Sequence, residues 1–166
     1  MNISKSFKDR TLFKNTIISM AVIVLIFILD RVSKIKIINH QKNNEGSLFI
    51  NDYLNFDLVW NTGVSFGLLS QNANFYYHAI SFVIFLVIIF LSYLIVRANF
   101  LDKVSFSLIL GGALGNIYDR INYFAVPDFI DIHFGDYHWF TFNIADIFIT
   151  IGVIFLIGKD IILNKK

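Results

Sequence analysis

Residues 142–157, FNIADIFITIGVIFLI, are almost entirely hydrocarbon and carry one carboxylate, that of Asp146. An ionised carboxylate at the centre of a bilayer costs at least ~2.5–3.5 kcal/mol, so a functional role is expected for it. Asn143 and Thr150 lie three residues before and four residues after Asp146, and helical spacing places all three on one face. Hydrogen bonds between helices would explain Asn143 and Thr150, but such contacts do not require a carboxylate.

The composition indicates an integral membrane protein. The chain has 166 residues, of which 56% are hydrophobic and 16% charged, and its mean hydropathy is +0.64. Soluble domains average about 25% charged residues. The net charge of +2 is too small to indicate nucleic-acid binding, and the absence of Cys excludes disulfides, thiolate metal sites and cysteine nucleophiles. The length predicts a single domain, residues 1–166.

Four apolar segments predict four transmembrane helices, at about residues 12–29, 75–96, 104–118 and 142–158. About 20 residues are needed to cross a bilayer, so the short third segment must include its flanks. Basic residues precede the first segment, as in a secretory signal peptide. It ends at Asp30-Arg-Val-Ser-Lys34 without a small-x-small cleavage site, so we expect a retained helix.

The distribution of basic residues predicts that both termini are cytoplasmic. Nine Lys and Arg lie on the side of the termini, and five lie on the side of the two outer loops, about residues 30–74 and 119–141. Residues 54–61 and 128–134 in these loops alternate in a period of two, which is a strand signal. The predicted fold is therefore a membrane α-helical protein, with four transmembrane helices and a small extracytoplasmic β-sheet.

Asp128 and Asp146 are the candidate acid–base pair. Pro127 fixes the backbone before Asp128, and a short return loop would bring Asp146, 18 residues on, to the same outer mouth of the helix bundle. Two close carboxylates share one proton, which leaves one as a base to activate water and the other as an acid toward a carbonyl. An aspartyl protease needs this arrangement.

The end of the third span supplies further polar groups. Gly111 and Gly115 form a Gly-xxx-Gly pair, which allows a neighbouring helix to approach closely. Asn116 and Arg120 are four residues apart and share a helical face. Arg120 either extends to phosphate headgroups or holds a polar substrate group or a carboxylate, and the spacing leaves both roles open.

Two other groupings of charged residues are weaker signals. Asp30 and Lys34 have the spacing of a helical ion pair. Asp and His residues in the second outer loop suggest a metal site, but the spacing is generic and a solvated rim is the favoured interpretation. They are Asp131, His133, Asp136 and His138.

Five short motifs follow one another along the chain. They are Asp30-x-x-Ser-Lys34, Asn61-x-Gly63 with Phe66, Gly111-Gly-Ala-Leu-Gly-Asn116-x-x-Asp119-Arg120, Val126-x-Asp128-Phe129 and Phe142-Asn143-x-Ala145-Asp146. Each motif alone is weak. Together, in this order and over about residues 17–158, they resemble the bacterial lipoprotein signal peptidase family, also called signal peptidase II.

The resemblance implies an aspartyl endopeptidase of the bacterial cytoplasmic membrane that needs no metal or organic cofactor. Its substrates would be prolipoproteins, cut just before a cysteine that bears diacylglycerol. It assigns Asp128 and Asp146 as the catalytic pair, at the extracytoplasmic face. The substrate pocket would be lined or supported by Asn61, Asn116, Arg120, Asn143 and Asp30. The resemblance also implies an extracytoplasmic β-cradle and binding of globomycin-type inhibitors, and nothing in the sequence demands more than a monomer.

Two other classes of protein compete with a peptidase. A small transporter or ion-pathway subunit would use Asp146 as a proton carrier, but it would need a polar path through the bilayer. The second and fourth spans lack charged residues in their cytoplasmic halves. A non-enzymatic membrane scaffold would use Gly111 and Gly115 for helix contacts. A proteolysis assay with a lipid-modified precursor peptide separates the three classes, and the distance between the Asp128 and Asp146 carboxyl groups is the corresponding structural observation.

Overall fold

The computed structural model describes residues 3–43, 46–63 and 73–163. Four helices and four strands follow one another in the order α1 (Ile3–Lys42), β1 (Leu48–Asn51), β2 (Leu54–Asn61), α2 (Ala73–Arg97), α3 (Phe100–Tyr123), β3 (Val126–Phe134), β4 (Tyr137–His138) and α4 (Ile144–Leu163). Phe66 of the second motif lies outside the described residues.

Three described helical segments are long and apolar enough to cross a membrane. They are Thr11–Lys42, Tyr77–Arg97 and Phe100–Tyr123. Helix α4 has 20 residues, but it carries Asp146, Lys159 and Asp160. By length and composition, the described part of the chain therefore provides three spans where the sequence predicted four.

Helix α1 continues to Lys42, whereas the sequence predicted that the first span would end at residue 29 and that an outer loop would begin at residue 30. No Gly or Pro interrupts α1. The charges that suggested an end are instead buried, since Asp30 and Lys34 are both 0% exposed. The Lys34 ammonium donates to the carboxylates of Asp30 and of Asp119 on α3, at 2.9 and 2.7 Å. Because these charges compensate one another, the helix does not need to stop there.

The strands form one antiparallel sheet in the order β1-β2-β3-β4. The strands predicted from the alternating patterns at residues 54–61 and 128–134 are confirmed as β2 and β3. Phe129 and Ile130 of β3 pack on Ile37, which belongs to the extension of α1. The unexpected length of α1 thus provides the surface on which the sheet rests.

Helix α3 is approached closely on two sides through its glycines. A Cβ on Gly111 would lie 2.9 Å from the Cβ of Ile26 on α1, and a Cβ on Gly115 would lie 2.4 Å from the Oδ2 of Asp30. On another side, a Cβ on Gly112 would lie 2.5 Å from the carbonyl oxygen of Ala145 on α4. The predicted close approach at Gly111 and Gly115 is confirmed, and α1 is the neighbour.

Candidate active site

Asp128 is the third residue of β3 and is 3% exposed. The chain enters this strand just after α3, through a turn at Phe124 in the left-handed conformation (φ 54°). Strand β2 runs beside it, and the side-chain amide of Asn61 at the end of β2 donates to Asp128 Oδ2 at 2.8 Å. The sheet register therefore fixes both Asp128 and a hydrogen-bond donor to its carboxyl group.

Asp146 lies in the first turn of α4, and Asn143 immediately precedes this helix. The Asp146 N–H donates to Asn143 Oδ1 at 3.1 Å, and the Asn143 N–H donates to Asp146 Oδ2 at 3.2 Å. This reciprocal pair has the form of a capping box. Asn143 therefore caps α4 and does not lie within it, contrary to the predicted span of residues 142–158, but it still holds Asp146 from one turn earlier.

Asn143 bridges the two carboxyl groups, with its side chain on one and its backbone on the other. Its amide nitrogen donates to Asp128 Oδ1 at 2.6 Å, while its backbone N–H and side-chain oxygen hold Asp146. The Asn116 amide donates to Asp146 Oδ1 at 2.8 Å, and the Asn116 side-chain oxygen accepts from Asn143 Nδ2 at 3.2 Å. Asp128 and Asp146, which are 18 residues apart in sequence, thus belong to one hydrogen-bond network with Asn61, Asn116 and Asn143.

The backbone explains how the network closes. Phe142, the residue before Asn143, pairs with Ile130 of β3, and their N–H and carbonyl groups exchange hydrogen bonds of 2.8 and 3.1 Å. The chain thus leaves the sheet and enters α4 within two residues. Asp128 on the strand and Asp146 on the first helical turn are positioned by this junction rather than by a flexible loop.

Burial raises the pKa of Asp128 from 3.8 to about 6. Hydrogen bonds from Asn61 and Asn143 favour the ionised form and limit the rise, as does the charge of Lys34, while the charge of Asp146 adds to it. Because the pKa is higher in the folded state, ionisation of Asp128 lowers folding stability as the pH rises through about 6. A carboxyl group with this pKa holds a proton that it can release near neutral pH.

A cavity of about 260 Å³ lies beside Asp146. Apart from Asp146 and Thr150, its lining is hydrophobic. The lining residues are Phe140, Phe142, Asp146, Ile147, Thr150 and Ile151. Asp146 and Thr150 thus face the same space, as their spacing predicted. The cavity places an apolar surface next to a carboxyl group, which suits a ligand with both hydrocarbon and polar parts.

A family model described as signal peptidase (SPase) II matches residues 22–162. The chain belongs to the signal peptidase II family. A lipoprotein signal peptidase of Pelagibacter ubique is 43% identical over 154 residues, covering 92% of this chain and 93% of the relative. One of Anaplasma phagocytophilum is 38% identical over 151 residues, covering 89% and 94%. A solved bacterial membrane enzyme has a TM-score of 0.72 and 34% identity, covering 89% of this chain and 93% of that one.

In this signal peptidase II chain, Asp30 supports the site from outside it. Its Oδ1 accepts the N–H of Ala145 at 3.1 Å, and its Oδ2 accepts from Lys34. Lys34 also donates to Asn116 Oδ1 at 3.0 Å, so it fixes the amide that holds Asp146. Asp30 therefore stabilises the start of α4 and has no hydrogen bond to Asp128 or Asp146 among the described residues.

The sequence patterns did not predict that Lys34 or Asp119 belongs to the site. The available signals were the spacing of Lys34 from Asp30 and the position of Asp119, one helical turn after Asn116. Arg31 completes the cluster, since its guanidinium lies 2.5 Å from Asp119 Oδ1. We call Asp30, Arg31, Lys34 and Asp119 the buried charge cluster.

Arg120 lies beside the network without joining it. Its guanidinium carbon is 5.6 Å from the ring centre of Tyr77, whose hydroxyl donates to the Arg120 carbonyl oxygen at 2.6 Å. A Cβ on Gly63, two residues after Asn61, would lie 3.5 Å from Arg120 Nη1. Within the described ranges no hydrogen bond connects Arg120 to Asp128 or Asp146. Its guanidinium is near the end of β2 and remains a predicted contact for substrate.

Proposed function

We propose that this chain is a membrane aspartyl endopeptidase that removes the signal peptide from diacylglyceryl-modified prolipoproteins, with Asp128 and Asp146 as its catalytic pair. The observation that carries the assignment is that Asn143 hydrogen-bonds both carboxyl groups at the edge of an apolar cavity. Its side-chain amide donates to Asp128, and its backbone N–H donates to Asp146. Membership of the signal peptidase II family supports the same activity and disfavours the transporter and scaffold alternatives.

The environments of the two carboxyl groups suggest separate roles. Asp128 is buried and has a pKa of about 6, so it is the group that holds the shared proton. Asp146 is half-buried, borders the cavity and accepts hydrogen bonds from two N–H groups, one of Asn116 and one of the backbone at the start of α4. A helix N-terminus stabilises negative charge, so Asp146 is the base.

Hydrolysis then proceeds by addition of water to the scissile carbonyl. Ionised Asp146 takes a proton from water as the oxygen attacks the carbonyl carbon, and Asp128 gives its proton to the carbonyl oxygen. The tetrahedral intermediate collapses when its nitrogen takes the proton from Asp146 and leaves as the amine. At the same time, a hydroxyl group of the intermediate returns a proton to Asp128. The carboxylic acid and the amine are released, and the pair regains its starting protonation.

The three asparagines position these two groups. Asn143 holds both carboxyl groups at once, through its side-chain amide and its backbone N–H, which reduces the freedom that must be lost in the transition state. Asn61 and Asn116 each donate to one of the two acids. Arg120, close to the end of β2, has a rigid fork of donors suited to a lipid ester or peptide carbonyl of the substrate.

The cavity beside Asp146 supports a lipid-bearing substrate. Its apolar walls would receive hydrocarbon of the substrate, and its polar edge is the proposed catalytic base. A lipidated precursor that enters sideways from the bilayer would thereby bind with its scissile bond near the carboxyl pair. Such a site requires the dyad to lie close to the membrane surface.

For the membrane arrangement, we propose that α4 is the fourth span, that both termini are cytoplasmic and that the dyad faces outward from the bacterial inner membrane. The excess of basic residues near the termini supports this orientation. All groups of the proposed site come from one chain, so a monomer is sufficient. A globomycin-type inhibitor would occupy the same cavity and compete with the precursor.

The decisive experiment is cleavage of a diacylglyceryl-modified precursor peptide by the purified protein, followed by mass spectrometry. The expected product begins with the lipidated cysteine, and the same peptide without lipid should remain uncut. Absence of cleavage by folded wild-type protein would contradict the proposed activity. Cleavage of the lipidated peptide by both Asp128→Asn and Asp146→Asn would overturn the assignment of the dyad.

A further inference from the structure

Three side chains with metal-binding groups meet at the far end of β3 from Asp128. Asp131, His133 and His138 each offer one donor atom, and these atoms all lie within 4.8 Å of one another. Asp136, the fourth residue of the group noted in the sequence, occupies the turn between β3 and β4 and is not part of this trio. We call Asp131, His133 and His138 the hairpin trio.

The strand geometry brings the trio to one face of the sheet. Asp131 and His133 are two residues apart on β3, so their side chains point to the same side. His138 is the cross-strand partner of His133, and their rings stack with centres 5.1 Å apart. Asp128 is three residues from Asp131, about 10 Å along the strand, and strand alternation places it on the opposite face. The trio is therefore separate from the proposed dyad.

An ordinary hydrogen bond explains only part of this arrangement. His138 Nδ1 lies 2.8 Å from Asp131 Oδ2, which is a normal His–Asp contact. The His133 side chain is only 10% exposed, and its Nδ1 is buried without a hydrogen-bond partner, 3.5 Å from the same carboxylate oxygen. A buried nitrogen without a partner costs about 1–3 kcal/mol. A cation held between the three groups would satisfy it.

A second buried polar atom without a hydrogen-bond partner lies nearby. Asn55 is directly opposite Asp131 in the β2–β3 pairing, and its side-chain oxygen is buried without a partner. Opposite residues in an antiparallel pair share a face. The oxygen of Asn55 thus adds a neutral acceptor to the surroundings of the trio, either for the ion or for a water bound to it.

The donor set and spacing identify the class of ion. Two imidazoles and one carboxylate suit a divalent first-row transition metal such as Zn²⁺. Zinc bonds of about 2.0–2.1 Å at tetrahedral angles separate neighbouring ligand atoms by about 3.3 Å. The observed separations from Asp131 Oδ2 are 2.8 and 3.5 Å. The His138 side chain is 56% exposed, so an ion can enter from solvent and keep an open coordination position.

We propose that Asp131, His133 and His138 bind one Zn²⁺ ion that clamps the β3–β4 hairpin. The hairpin leads directly into the junction that starts α4. The ion would hold the two strands together at the end farthest from Asp128. This site takes no part in the proposed hydrolysis, and its existence does not depend on that activity.

The test is a titration of Zn²⁺ into purified full-length protein that has been stripped with a chelator and exchanged into chelator-free buffer. Wild-type protein should bind one ion per chain, and Zn²⁺ should raise its Tm. His133→Phe and His138→Phe should each weaken binding by more than about 10-fold and remove the Tm increase, because loss even of a supporting contact costs 10–100-fold. The control His78→Gln changes an exposed histidine on α2 and should bind like wild type.

A second measurement covers the case in which a phenylalanine variant fails to fold. Asp131→Asn keeps the size of the side chain, and X-ray absorption of the zinc-loaded wild type reports the ligand types directly. Two imidazole nitrogens and an oxygen at the zinc, with weakened binding in Asp131→Asn, would support the site. Wild-type affinity no higher than that of the folded variants, or a zinc shell without two imidazoles, would overturn it.

Discussion

Two adjoining groups of polar side chains, the buried charge cluster and the network around Asp128 and Asp146, differ in how the charge of their acids is compensated. In the buried charge cluster, Lys34 lies 2.9 and 2.7 Å from the carboxylates of Asp30 and Asp119, and Arg31 lies 2.5 Å from that of Asp119. Asp128 and Asp146 are held instead by neutral amides and backbone N–H groups. Cations thus compensate the charge of the acids in the cluster, whereas neutral donors leave Asp128 and Asp146 free to exchange a proton.

In this protein, the charged groups that support the site are separate from the acids proposed to carry out the chemistry. A cation beside Asp128 or Asp146 would hold both acids ionised, and one proton must be shared between them for general acid–base catalysis. Lys34 acts on the pair only indirectly. It donates to the side-chain oxygen of Asn116, and the Asn116 amide donates to Asp146. Positive charge thus orients the site without forming an ion pair with its acids.

The largest expected effect comes from removing one of the two uncompensated acids. Asp128→Asn and Asp146→Asn should each reduce cleavage of a lipidated precursor by more than about 1,000-fold, since each removes one of the two proposed proton carriers. Thermal unfolding should stay close to that of wild type, because each change conserves side-chain size. Asp136→Asn, in the exposed hairpin turn, is the matched control and should cleave normally. Normal turnover by either variant would contradict the proposed catalytic role of Asp128 and Asp146.

A large loss of folding stability, rather than of activity, is expected when the buried charge cluster is broken. Lys34→Met leaves Asp30 and Asp119 buried with only Arg31 to compensate them, and breaking a buried pair in this way costs about 3–5 kcal/mol. The expected outcome is a large drop in the unfolding temperature in detergent. Lys36→Met, two residues along α1 and exposed, should change it little. Equal stability of the two variants would show that the cluster is not a structural element.

The cluster also marks the limit of what the sequence predicted. The period-two patterns correctly indicated β2 and β3, and the Asp128–Asp146 proximity followed from a short return between two motifs. The predicted end of α1 was wrong because, in the sequence, Asp30 and Lys34 look like the water-exposed boundary of a span. Only the fold shows that Asp119 lies beside Lys34. That partner is 85 residues from Lys34, and no local pattern connects the two.

The start of α4 was predicted two residues too early for a different reason. The segment Asn143-Ile-Ala-Asp146 before an apolar run has the spacing of a capping box, a local signal that was present in the sequence. Continuous hydrophobicity from Phe142 onward favoured a helix that already included Asn143. The structure starts α4 at Ile144 because Phe142 is still paired with β3. Sheet pairing, a long-range interaction, decided the boundary.

A smaller loss of stability is expected where the buried charge cluster touches α3. A Cβ on Gly115 would lie 2.4 Å from Asp30 Oδ2, so Gly115→Ala must displace a carboxylate that Lys34 and Ala145 both hold. Overpacking of this kind costs about 1–3 kcal/mol. Gly158→Ala in α4 is the matched control, since nothing lies within 4 Å of its added Cβ. A Gly115→Ala protein as stable as the control would refute the close approach of α1 and α3.

The finest test concerns the protonation of Asp128. Activity that needs protonated Asp128 should fall as the pH rises through about 6, the pKa of this buried carboxyl. The Asn61 amide donates to the ionised form and so limits the rise of that pKa. Asn61→Ala should therefore raise the pKa further and move the alkaline limb of kcat/KM to higher pH, by up to about one pH unit.

The matched control for this shift is Asn51→Ala, which removes an exposed amide from β1 whose described hydrogen bond is to the N–H of Tyr53. It should leave the limb where it is in wild type. Because the two acids interact, the limb reports a pKa of the pair, and its direction of movement is the informative quantity. If Asn61→Ala instead moves the acidic limb to higher pH and leaves the alkaline limb unchanged, Asp128 acts in its ionised form, and the assignments of acid and base would then be exchanged.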